Sequence, residues 1–250
     1  MPSNRTHLKK NADCFLADLA SIDWERPLTE LHDNNAKILR RLSSDKTLLR
    51  RLIVGARDDE YLWAKCEEDI VEDKIVLWDN LDNGIRIRLR MSTRPQQRLA
   101  HSHRFSFTNL VMRGQYIHWH YDKLDSFNET TKLEDVVTSA QHVDRHGDIF
   151  SIHHEAMHST PFPDFGTVSL VLRGNPVKDR APVMFKEPRG RAEFIAQGGD
   201  LEVEPDHARE GAFFWRVGED RESTQRRAER QMSPAKLDYW VETLERFGLL

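Results

Sequence analysis

Residues 74–92, KIVLWDNLDNGIRIRLRMS, change the character of the chain. Within them Ile85, Ile87, Leu89 and Met91 alternate strictly with Arg86, Arg88 and Arg90, which is the period of a strand and not of a helix. The Asn83-Gly84 dipeptide between two apolar runs is a hairpin signal, so two antiparallel strands are expected here.

Downstream, further short runs read as strands at FSFTNLVM (105–112), GQYIHWHY (114–121), GDIFSIH (147–153), TVSLVLRG (167–174) and APVMFKE (181–187). Strands in such close succession, without helices between them, argue for a sandwich or barrel over βαβ units. Upstream, apolar residues recur at threes and fours: Phe15, Leu16, Leu19 and Ile22, then Leu28, Leu31, Ile38 and Leu42, then Leu48, Leu49, Leu52 and Ile53. Pro27, Asp45 and Gly55 punctuate these helices. In the tail, Ser233 and Pro234 form an N-cap and first-turn pair ahead of an apolar stripe of Leu237, Trp240, Val241, Leu244 and Phe247. The expected plan is a helical segment over 1–73, a β-barrel over 74–200 and a helical extension over 201–250.

The charge balance is 37 Lys and Arg against 41 Asp and Glu, a net charge of -4 with both signs scattered, so no nucleic-acid or membrane partner is expected. No apolar run approaches the roughly 20 residues that span a bilayer, and MPSNRTHLKK lacks the apolar stretch of a secretion signal. The default expectation is a cytoplasmic protein with a small-molecule substrate. Cys14 and Cys66 read as helical core and not as a disulfide.

Twelve histidines are present, most of them between His101 and His158. That composition yields about half an HxH match by chance, so context must decide. In AHSHRFSFTNLVMRG the HxH stands at the start of an expected strand, where alternate side chains share a face and His101 and His103 can offer imidazoles to one ion. The segment HGDIFSIHHEAMHST also spells HExxH from His154 to His158. That pattern chelates zinc only on a helix, and Gly147 upstream with Pro161 and Pro163 downstream argue against one.

These two segments resemble the two motifs of the cupin superfamily. The first motif there is HxH with a nearby Glu and a later Gly, and Gly114 fits the Gly. The second is Gly, five residues, Pro-x-Gly, two residues and His. Gly147 stands at the opening glycine, His153 and Glu155 replace Pro and Gly, and His158 falls on the histidine. The resemblance implies a double-stranded β-helix, or jelly-roll, barrel in which His158 completes a metal site with His101 and His103. Where many cupins carry the Glu ligand, this chain has Phe107 and Thr108. Three neutral imidazoles would leave the ion its full charge and open positions for a chelating substrate beside O2, which points to Fe(II), with Mn, Ni and Zn as alternatives. The HxD/E pair of 2-oxoglutarate-dependent oxygenases is absent, so no such cosubstrate is expected. In outline residues 75–190 look like a distant relative of the three-histidine cysteine dioxygenase family. That family's late-strand His and Tyr correspond to no such residues here, where Ser169, Val171 and Arg173 stand, and its crosslinked Cys has no counterpart near Phe107. The resemblance allows a homodimer.

Several residues have two readings. Tyr116, His118 and His120 share one face of their strand, and facing inward they would orient ligands or donate protons. Facing outward they would leave Ile117, Trp119 and Tyr121 as the packed side. Arg86, Arg88 and Arg90 would clamp a substrate carboxylate if inward, or form a solvated edge if outward. Arg173 is a further substrate-binding candidate. Asn109 has inward parity and could bond substrate or oxygen. The expected function is a non-heme Fe(II) oxygenase or oxidase acting on a small polar metabolite, amino-acid-like or aromatic. The alternatives are a non-catalytic ligand-binding cupin and a metal-assisted hydrolase or isomerase.

Overall fold

The computed structural model describes residues 19, 22–24, 26–68, 72–80, 84–93, 100–122, 136–160, 165–184, 213–217 and 224–250. Helices α1 (Leu28–Ser44), α2 (Lys46–Gly55) and α3 (Glu60–Trp63) precede strands β1 (Glu72–Asp79), β2 (Arg86–Ser92), β3 (Phe107–Arg113), β4 (Gln115–Tyr121), β5 (Thr138–Arg145), β6 (Ile149–Ile152), β7 (Met157–Ser159), β8 (Val168–Arg173), β9 (Arg180–Met184) and β10 (Phe213–Val217). Helices α4 (Thr224–Glu229) and α5 (Pro234–Arg246) follow. Asp45 caps α2 by accepting from Leu48 N, and Ser233 caps α5 by accepting from Lys236 N. Cys14, most of the expected first helix and the Asn83 side of the hairpin turn lie outside the described residues. Cys66 is buried and free, and burial pushes its thiol up to about 11.

One antiparallel sheet has the order β1-β2-β8-β3-β6. The other runs β10-β9, then through the isolated bridges of His101 to Val183 and to His158, and on to β7-β4-β5. The pairing is nested: β2 with β8, the His101 segment with β7, β3 with β6, and β4 with β5. A chain that pairs first with last and works inward, while alternating between two sheets, is a jelly roll. This is the expected jelly-roll barrel, with helices before it and after it.

The first sheet buries both faces. Its outer face presents Ile75, Leu77, Ile85, Ile87, Leu89, Met91, Leu110, Val168, Leu170 and Leu172 to Leu39, Leu42, Leu49, Ile53, Leu237 and Trp240 of the helices. Each such side chain contributes about 1.5–3 kcal/mol on burial, so the helices are part of the barrel's core and not appendages. Polar contacts fix the angle of α1: Asn35 Nδ2 donates to Thr108 Oγ1 (3.0 Å), and His32 Nδ1 lies 3.0 Å from Ser151 Oγ. The inner face carries Arg86, Arg88 and Arg90, then Ser169, Val171 and Arg173, then Phe107 and Asn109, opposite the second sheet.

Three strands differ from the sequence reading. β5 shows no apolar alternation because it is the edge of its sheet, exposed over most of its length. β7 has three residues, too few for a period to register. β10 lies inside the stretch expected to be helical and pairs with β9. The HxH also precedes its strand: β3 begins at Phe107, and His101 holds position by exchanging backbone hydrogen bonds with His158 (2.9 and 3.0 Å).

Candidate metal centre

His101, His103 and His158 meet in the barrel interior, each offering a ring nitrogen within 4.8 Å of the others. His101 and His158 are buried and His103 is partly so. The backbone bridge brings the His101 and His158 rings to 4.6 Å between centroids, and His103 Nε2 lies 2.7 Å from His158 Nε2. Two imidazole nitrogens this close either share one proton or aim two lone pairs at one cation. Burial pushes His158 well below the ordinary histidine value, and the neighbouring His101, His103 and His118 add to the effect. A neutral imidazole is the form that ligates a metal. Among the described residues no carboxylate belongs to the group, and Phe107 packs edge-on against His103 at 4.8 Å.

HExxH is not on a helix. His154 and Glu155 occupy a turn and His158 a strand, so His154 points elsewhere, with Nδ1 3.1 Å from Ser106 Oγ. The two histidines therefore do not share a site.

The Tyr116, His118 and His120 face turns inward, leaving Ile117 37% exposed. His118 is fully buried and contacts the cluster through Nε2, 2.7 Å from His158 Nδ1. Its Nδ1 lies 2.8 Å from Asp144 Oδ2. Tyr116 points inward at another level, bonding Ser169 Oγ at 3.0 Å, and burial raises its hydroxyl above the usual tyrosine range. A second group, His118, His120 and His142, lies beside the first. Its rings stack, His118 on His120 at 4.4 Å and His120 on His142 at 5.1 Å. Burial, then His118 and His142, lower His120 to about 4. Asp144 escaped the sequence reading. Once β4 and β5 are paired, with His118 opposite His142, the i, i+2 relation of His142 and Asp144 would have placed it on the inner face.

The arginine ladder is not a solvated edge. Arg86 pairs with Asp79 (3.0 Å), itself bonded by Tyr61, and Arg90 pairs with Glu72. Arg88 differs: among the described residues no carboxylate forms an ion pair with it, and its Nε is buried without a hydrogen-bond partner. Burial, then Arg90, lower its guanidinium to about 9. Arg88 and Arg173 both approach the Phe105 ring, at 5.9 and 4.5 Å, and Phe105 lies 5.8 Å from His103. Asn109 is buried with Nδ2 unpartnered, two strands from Arg88 on the row Arg88–Val171–Asn109. The interior thus has three imidazoles on one wall and, on the other, an Arg88 guanidinium without a carboxylate and an Asn109 Nδ2 without an acceptor among the described residues.

No family model matches the chain, and no curated protein does. Among solved structures it is similar to a putative mannose-6-phosphate isomerase from Ralstonia eutropha JMP134, at 18% identity over 42% of this chain and 84% of that one, with a TM-score of 0.31. It is likewise similar to an RmlC-like cupin from Shewanella frigidimarina NCIMB 400 (17%, 45% and 86%, TM-score 0.33) and to KdgF from Halomonas sp. (15%, 45% and 89%, TM-score 0.33). These overlaps take in less than half of the chain, and the assignment of the jelly-roll architecture rests on the strand order and nested pairing described above.

Proposed function

We propose that the protein is a non-heme Fe(II)-dependent, 2-oxoglutarate-independent oxygenase or oxidase acting on a small anionic metabolite. The observation that carries the metal site is the convergence of His101, His103 and His158 as buried nitrogen donors, with His158 held neutral. The donor set fits a divalent first-row ion, which when bound would supply open positions for substrate and O2. Arg88 would hold a substrate carboxylate, since among the described residues its charge is the one in the ladder without a carboxylate partner. Asn109 Nδ2 would donate to a second acceptor of the same molecule. Phe105 and Phe107 would cover the apolar part and keep water from the ring nitrogens of His103.

The test is metal content after anaerobic purification, followed by oxygen consumption with small amino-acid-like and aromatic carboxylates. About one iron per chain and uptake dependent on a carboxylate support the reading. Metal without oxygen uptake would instead indicate a hydrolase or isomerase, and no metal a ligand-binding barrel.

A further inference from the structure

Asp144, His118 and His158 form a hydrogen-bonded line that runs from β5 through β4 to β7 and ends at the candidate metal centre. The two contacts are 2.8 Å and 2.7 Å, and all three side chains are buried. A carboxylate only accepts, so the His118 proton must sit on Nδ1. With one proton on that ring, Nε2 is an acceptor, and the 2.7 Å contact to His158 requires the proton to come from His158 Nδ1. His158 Nε2 is then left with its lone pair, on the side where it meets His103 Nε2. Reversing the first member reverses the rest: a His118 bearing its proton on Nε2 would donate to His158 Nδ1. The His158 proton would then sit on Nε2, aimed into the site.

We propose that Asp144 and His118 are positioning residues that fix His158 in its Nδ1–H tautomer and thereby aim its Nε2 lone pair at the metal. The consequence for metal binding rests on the function proposed above; the tautomer itself does not. The register explains why the line exists at all. His120 stands opposite His158 and His118 opposite His142, so β4 delivers one imidazole diagonally to β7 while β5 supplies the carboxylate. Partners of this kind orient ligating histidines and raise their donor strength, and their removal costs 10–100-fold in metal affinity in typical sites.

The test has two arms. In metal-free protein labelled with 15N-histidine, long-range proton–nitrogen correlation spectra report the tautomer of each ring, with signals assigned by their loss in His118→Gln and His158→Gln. Both rings should be Nδ1–H in the native protein, and Asp144→Leu should move His158 to Nε2–H. A native His158 that carries its proton on Nε2, or a tautomer indifferent to Asp144→Leu, overturns the proposal. In the second arm, Co(II) affinity is measured by competition with a chromophoric chelator. Asp144→Leu should weaken it about 10–100-fold, and Asp144→Asn, which keeps an acceptor oxygen and the native volume, should recover part of the loss. Equal affinity in Asp144→Leu and native protein overturns the positioning role. Should Asp144→Leu fail to fold, the Asp144→Asn spectrum decides, since its amide admits both His158 tautomers and a mixture is expected where a pure Nδ1–H form is the contrary result. Native protein that binds no cobalt refutes the metal reading, and the first arm still decides the tautomer.

Discussion

Val76 stands opposite Arg88 in the β1–β2 register. The neighbouring arginines have carboxylates from the same strand, Asp79 for Arg86 and Glu72 for Arg90, so β1 neutralises the ends of the ladder and leaves its middle charged. Replacing Arg88 should therefore affect binding and not folding. Arg88→Met is expected to change unfolding free energy by less than about 1 kcal/mol, because an unpaired buried charge is itself costly. It should weaken binding of small carboxylates at least tenfold by calorimetry.

Arg86→Met should do the opposite. It strands the Asp79 carboxylate, only 4% exposed, with Tyr61 and a distant Lys65 as remaining partners. The expected loss is about 3 kcal/mol, the low end for breaking a buried pair. Denaturant midpoints measure it, and carboxylate affinity in the folded fraction should be unchanged.

His158→Ala and His101→Ala should each abolish stoichiometric metal, whereas His154→Ala should retain it, because His154 is turned toward Ser106. Elemental analysis of the three purified variants checks this. Metal lost from His154→Ala and kept in His158→Ala would reverse the assignment.

The metal-free protein should lose stability as pH falls. Burial holds His158 well below its ordinary value and His120 at about 4, while unfolded imidazoles titrate near 6.5. The unfolded chain thus binds more protons between about pH 6.5 and 4, and stability present above that window drains away through it. Urea midpoints at about pH 7.5 and 5 should show the fall, and His158→Gln should flatten it.

Gly114 joins β3 to β4 at φ +76, and a Cβ there would lie 2.3 Å from Thr167 Oγ1 and 3.0 Å from the Thr167 backbone. Gly147 shares the positive φ, at +90, but has nothing within 4 Å. Gly114→Ala is expected to cost about 3 kcal/mol, combining left-handed strain with a clash, and Gly147→Ala only the strain of about 1–2 kcal/mol. Thermal unfolding of the pair checks the difference.

Local periodicity determined a great deal by itself. The alternation through residues 85–91 and the Ser233-Pro234 helix start were enough to read a sandwich or barrel flanked by helices, and the resemblance of the two histidine segments to known motifs named His101, His103 and His158 as one group. Those signals are local, set by backbone geometry over a few residues. Which face of β2 looks inward was not legible, because its two faces are both buried and period 2 says only that they differ. Sheet packing decided it, by laying the aliphatic side on the helices. Asp144 was hidden for the same reason: a carboxylate on an exposed-looking edge strand acquires meaning only when β5 pairs with β4 and β4 with β7. The sequence, through the resemblance of its two histidine segments to known motifs, singled out which imidazoles could serve an ion. Only the tertiary structure decided which arginine is left without a carboxylate and which carboxylate sets the His158 proton, since both follow from the strand partner that long-range pairing brings opposite.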